Sequence, residues 1–168
     1  MTSDRVSTGH PLPDRLSGQI LREEFETRFG VAKWLRINDV AFRAEHCSVR
    51  GIPTDYVIHV SIGYAGDQQV ELIQPVSGEN IYTEFLTDRG PGMHHVAYVV
   101  DDLAAALDRA QNAGADIVQR GGFGELGMDF AYLESTVVGG YVELMQLSPP
   151  MRAMFDQLVP EGHRNPWQ

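Results

Sequence analysis

Apolar positions along the chain change spacing in a way that separates helices from strands. Leu21, Phe25 and Phe29 recur every four residues and Gly30 follows, which predicts a helix over Gln19–Phe29 with a glycine stop. Ala32–Ile37 reads as a strand and 38–54 as a less regular stretch ending in Gly51-Ile-Pro-Thr. Tyr56–Tyr64 and Gln69–Pro75 make a hairpin around Ala65-Gly-Asp67. Further on, Met93–Val100 is a strand rich in β-branched residues. Asp101 is placed to cap a helix whose Leu103, Ala106, Leu107 and Ala110 form one stripe, closed by Gly114. Ala115–Gln119, Asp129–Glu134 and Tyr141–Leu147 complete a strand–helix–strand–strand–strand order. Ser148 then caps a last helix, with Pro149 at its first position and Met151, Met154, Phe155 and Leu158 along one side. Residues 1–18, with Gly9, Pro11, Pro13 and Gly18, read as an irregular arm, and 160–168 as a loose tail.

Two of the strands carry nearly the same letters. Val70-Glu-Leu-Ile-Gln74 returns as Val142-Glu-Leu-Met-Gln146, 72 positions later (142 minus 70). Each copy closes a pair of strands joined by a glycine-containing turn, as a duplicated module does. A carboxylate between Val and Leu is locally odd, because an ionised group is costly to bury without a partner. Strand alternation turns Glu71 away from Val70 and Leu72, and Glu143 away from Val142 and Leu144. Two related carboxylates brought to one cleft make a metal site or an acid/base site.

Composition narrows the class. The 168 residues fit one domain or two small modules sharing a core, and 43% hydrophobic with 21% charged residues is ordinary for a globular protein. A net charge of −10 leaves no basic stripe to neutralise phosphates, so no nucleic-acid partner is expected. Cys47 is the single cysteine, which excludes an internal disulfide and makes a cytoplasmic location the default. No apolar run approaches the roughly 20 residues that span a bilayer, and MTSDRVSTGHPLPDR is not a signal peptide.

The repeated βαβββ order, with HHVAYVVDDL opening the second copy and GGYVEL closing it, resembles the vicinal oxygen chelate superfamily of glyoxalases, bleomycin-resistance proteins and dioxygenases. The likeness is strongest over Gly92–Gln146, where GMHHVAYVVDDLAAALDRAQNAGADIV is similar to methylmalonyl-CoA epimerases, and fair over Leu21–Ile81. It implies an α+β fold in which paired βαβββ modules form a curved mixed sheet around a central cup. The first module is irregular or truncated at its N-terminus. The divisions are an arm over 1–18, modules over 19–85 and 92–147, and a C-terminal helix and tail over 148–168. It also implies one divalent cation, held by the first and last strands of each module. Carried over residue by residue, the ligands are His95, Glu143 and Glu71, with His10 the weaker candidate for a fourth. His10 sits between Gly9 and Pro11, poor company for an inner strand.

Two carboxylates and an imidazole suit Zn, Ni, Co, Mn, Fe or Mg. The expected activity is proton transfer next to a carbonyl of a small oxygenated molecule, by an epimerase, isomerase or lyase, with Glu143 as base and Glu71 second. A metal-free binding or sequestering protein is the reading from another class, and an extradiol-type dioxygenase a second enzyme reading. A homodimer is expected, since open strand edges invite a second chain. His94 falls on the opposite face of its strand from His95 and reads as structural. His46, His59 and His163 have no ligand spacing, and Cys47 reads as inert. Tyr98, Tyr132, His59 and Met128 are candidates for lining the cup. The glycine run Gly121–Gly127 reads as a mobile loop over its mouth.

Overall fold

The computed structural model describes residues 18–124 and 127–165. Helix α1 (Gly18–Phe29) leads into β1 (Trp34–Phe42), two short strands β2 (Ser48–Val49) and β3 (Ile52–Pro53), and the long hairpin β4 (Tyr56–Ala65) and β5 (Gln68–Ser77). Helix α2 (Ile81–Arg89) connects to β6 (His95–Val99), α3 (Leu103–Asn112), β7 (Ile117–Gly122), β8 (Met128–Ser135), β9 (Gly140–Leu147) and α4 (Pro149–Asp156). One sheet runs β1-β4-β5, and the other runs β3-β2-β7-β8-β9-β6. All neighbours are antiparallel except β6 and β9. The order β6–α3–β7–β8–β9 is a complete βαβββ unit, and α1–β1–β4–β5 matches it without a leading strand among the described residues. The fold is therefore α+β, with curved sheets built from paired βαβββ-type modules.

Period-two patterning decides which side chains meet. Ile58, Val60 and Ile62 of β4 join Phe130, Tyr132 and Met145 in one buried cluster between the sheets. On the outer face of the larger sheet, Leu107 packs with Ala131 and Leu133, and Val142 and Leu144 pack against them. Glu143, between those two, therefore turns inward. The stripe expected for α3 is the one buried: Ala106 and Leu107 are inaccessible, with Leu103 and Ala110 packed beside them. Met151 and Phe155 of α4 are buried as its stripe requires, and Ser148 caps it by accepting from the Met151 N–H.

Several expectations need correction. The cap of α3 is Asp102, not Asp101. Strand β1 continues past Ile37 to Phe42 through a bulge, where Asp39 adopts a left-handed φ of 55° and its N–H is accepted by His59 Nδ1. Helix α2 has no counterpart in the sequence reading. Its apolar residues, Ile81, Tyr82, Phe85 and Leu86, fall within the first six of nine residues, too short a run for the repeat to stand out. Its start is nonetheless encoded, by a capping box in which Asn80 and Thr83 satisfy each other's backbone N–H groups. The tail is tied as far as Asn165, since Asp67 in the β4–β5 turn pairs with His163 and accepts the Arg164 N–H, and Asn165 donates its side-chain amide to Asp156. Gly121 and Gly122 extend β7 rather than forming a loop, and a Cβ on Gly121 would collide with Phe130 and Cys47. The arm lies outside the described residues except for Gly18, which opens α1. No described helix is long and apolar enough to cross a membrane.

Candidate metal centre

Glu71 stands mid-way along β5 opposite Ile62 of β4, and Glu143 mid-way along β9 between Tyr132 of β8 and Ala97 of β6. His95 opens β6. The three come from different strands and both sheets, and their ligating atoms all lie within 4.8 Å of one another. His95 Nε2 is 3.4 Å from a carboxylate oxygen of Glu71 and 3.4 Å from one of Glu143. Both distances exceed a normal hydrogen bond. Donors held about 2.1 Å from one ion stand roughly 3.0–3.4 Å apart at octahedral to tetrahedral angles. The two distances from His95 thus suit a shared divalent cation, as does the donor type of all three. His10, the fourth candidate, lies outside the described residues.

The two carboxylates are not equivalent. Glu143 is 4% exposed, whereas the Glu71 side chain keeps 28% of its surface. Burial pushes the Glu143 carboxyl up to about 7, with Glu71 adding to the rise and His95 and the Tyr132 hydroxyl opposing it. Sheet position explains the difference: β9 is flanked by β8 and β6, whereas β5 pairs only with β4 among the described residues. The Tyr82 hydroxyl donates to that of Tyr132 at 2.9 Å, which leaves the Tyr132 proton for Glu143. Burial holds both phenols well above their ordinary range, so they remain neutral donors. For His95, burial is the largest single influence and lowers its affinity for a proton. Glu71 and Glu143 together outweigh it and leave the imidazole raised.

His94 is placed differently from the strand-alternation expectation. It lies just ahead of β6, and its Nδ1 is 3.1 Å from Nδ1 of His95. Its ring packs among Tyr82, Phe85 and Tyr141 at centroid distances of 4.8–5.1 Å. Burial, with His95 adding, lowers the His94 pKa to about 3; the Ile81 backbone favours a proton on the ring, although Nε2 has no hydrogen bond of normal geometry. Tyr132 does line the cup, with its ring centroid 5.3 Å from that of His95. Met128 packs on the core, Tyr98 is 58% exposed, and His59 is engaged at the β1 bulge. The Cys47 thiol is buried and its pKa raised by burial, which fits an inert role. Sequence reasoning missed Tyr82 and the His94 contact. The Tyr132–Glu143 pair was countable, because stepping back from the Ser135–Gly140 turn puts them opposite each other.

The sequence model of the Glyoxalase/Bleomycin resistance protein/Dioxygenase superfamily matches residues 19–132, and the chain belongs to this superfamily. The matched span holds Glu71 and His95 and stops before Glu143. Among solved structures the chain is similar to Streptomyces coelicolor methylmalonyl-CoA epimerase in complex with 2-nitronate-propionyl-CoA. That likeness has a TM-score of 0.54 and 17% identity, covering 79% of this chain and 88% of the other. It is also similar to methylmalonyl-CoA epimerase from Mycobacterium tuberculosis, with a TM-score of 0.53, 20% identity and coverages of 80% and 83%. Among curated proteins, the uncharacterized protein YqjC of Bacillus subtilis (strain 168) is 27% identical over 63 residues, 38% of this chain; the chain matches 45% of that relative's length. At these identities the likeness to solved structures shows the vicinal oxygen chelate fold.

Proposed function

We propose that this chain is a metal-dependent enzyme of the vicinal oxygen chelate type. It moves a proton on the carbon next to a carbonyl of a small oxygenated substrate, as an epimerase, isomerase or lyase. The observation that carries the reading is the convergence of Glu71, His95 and Glu143, one carboxylate being buried without, among the described residues, any Lys or Arg beside it to balance its charge. A divalent cation (Zn, Ni, Co, Mn, Fe or Mg) supplies Lewis-acid polarisation of a carbonyl oxygen when bound there. Glu143 takes the proton from the adjacent carbon at its carboxylate oxygen, as the electron pair moves toward the carbonyl. Returning the proton regenerates the carboxylate, and Tyr132, backed by Tyr82, keeps it oriented between the two steps. Glu71, the more exposed carboxylate, balances charge and is the second candidate for a base. The epimerases among the structural neighbours support chemistry of this type. The single imidazole distinguishes the trio from the two-His-one-carboxylate set of non-haem iron oxygenases.

Elemental analysis of protein purified without chelators tests the proposal. About one divalent ion per chain is expected, lost in Glu71→Ala, His95→Ala and Glu143→Ala while circular dichroism shows the fold retained. An ion-free wild type that takes up none of these metals on soaking sinks the metal reading and leaves the cup a metal-free binding pocket or acid/base site. Among the described residues β5 pairs only with β4 and β6 only with β9, so each offers an open edge. We propose that a second copy covers one of them, and sedimentation velocity is expected to show a dimer; a monomer at micromolar concentration rejects it.

A further inference from the structure

The His94–His95 contact has a chemical direction. A shared hydrogen bond between two ring nitrogens needs one to carry the proton and the other to be bare. His95 points Nε2 at both carboxylates, 3.4 Å from each. For Nε2 to offer a lone pair to a cation, the His95 proton must sit on Nδ1. The acceptor standing 3.1 Å from that nitrogen is Nδ1 of His94. We infer that His94 is a positioning residue, which accepts the His95 Nδ1–H and so fixes the tautomer and ring angle that present His95 Nε2 to Glu71 and Glu143. The inference rests on the metal reading for its consequence but not for its geometry, which is a contact within the chain.

The surroundings make His94 suited to this task. Its ring is held by Tyr82, Phe85 and Tyr141, so it cannot swing away without leaving an aromatic pocket. Its backbone is fixed as well, because the His94 carbonyl accepts the Tyr141 N–H at 2.9 Å. The chain at Gly140 comes so close to that carbonyl that a Cβ there would sit 2.3 Å from the oxygen. One residue thus ties the start of β6 to β9, the strand of Glu143, and holds the proton on the far side of the ligand ring. Ligand histidines are commonly oriented by such a second hydrogen bond, and its loss weakens metal binding about 10–100-fold.

The test pairs Zn²⁺ affinity with the tautomer of His95, read by nitrogen-15 NMR of selectively labelled protein. In the wild type, both Zn²⁺-loaded and ion-free at alkaline pH, His95 is expected to carry its proton on Nδ1, with a through-bond coupling to His94 Nδ1. His94→Phe keeps the packing and removes the acceptor. It is expected to lower Zn²⁺ affinity about 10–100-fold and to mix the His95 tautomers. His94→Gln, which restores an acceptor oxygen, is expected to recover part of both. A wild-type His95 protonated on Nε2, or a folded His94→Phe that binds Zn²⁺ as tightly as the wild type, overturns the inference. Should His94→Phe not fold, the wild-type tautomer and the Gln variant still decide it. If the wild type binds none of the six candidate ions, the metal reading fails, and the ion-free tautomer measurement judges this inference by itself.

Discussion

Glu143→Gln is expected to slow carbon–hydrogen exchange next to a substrate carbonyl by about 10²–10⁴-fold, the range associated with loss of a positioned general base. The amide keeps the size and one donor oxygen of the carboxylate, so the variant should still hold its cation and its fold while losing the proton acceptor. Glu71→Gln is expected to slow exchange less, because Glu71 is the more exposed and lacks a phenol opposite it. Deuterium uptake from heavy water by chelating carbonyl compounds, measured in metal-loaded protein, reads this without knowledge of the natural substrate. Equal rates for wild type and Glu143→Gln would remove Glu143 from the role of base. A larger loss in Glu71→Gln would pass the role to Glu71.

In the ion-free state the protein is expected to lose stability as pH rises from about 5 to 8. Burial raises the folded Glu143 carboxyl from 4.5 to about 7, so it binds its proton more tightly folded than unfolded. Its stabilisation is complete below 4.5 and is lost as pH climbs through about 7. His95 acts in the same sense: with its pKa raised above 6.5, its contribution is present below 6.5 and disappears above the raised value. The Glu143 difference corresponds to ~3 kcal/mol, or a fall of about 6–12 °C in melting temperature for a chain of this size. Glu143→Gln should flatten most of that pH slope, and so should a saturating divalent ion, since a bound cation stabilises the ionised carboxylate. Thermal unfolding across pH for wild type, variant and metal-loaded protein decides it. Identical slopes for ion-free wild type and Glu143→Gln contradict the buried-carboxylate account.

Both predictions depend on a residue that the sequence marks in one way and the structure in another. The repeat of Val-Glu-Leu-(Ile/Met)-Gln, with period-two alternation, singled out Glu71 and Glu143 and turned both to the face opposite their apolar neighbours. Alternation suffices there because Val142 and Leu144 have one apolar surface to join, α3 with Ala131 and Leu133. Helices α3 and α4 were legible for the same reason, since a stripe of apolar positions needs one partner face. His95 was singled out by resemblance, and no residue spacing distinguished it from His94. Helix α2 was hidden because its capping box uses Thr where Glu or Gln is the familiar signal, and its buried residues crowd one end.

Residue order alone thus settles local matters: the type of most elements, the inward turn of two carboxylates, and a donor set suited to a divalent ion. Tertiary structure decided the rest, because it depends on distances between segments far apart in the chain. It set β5 against β6 across the cup so that Glu71 meets His95, and it put Tyr132 beside Glu143 through the β8–β9 register. It also turned His94 toward His95, against the alternation of the strand, because His94 precedes the first paired residue of β6 and its ring follows the aromatic pocket instead of the pleat. Burial makes Glu143 different from Glu71, although the two sit in nearly identical words of sequence, and burial is a property of the packed chain alone.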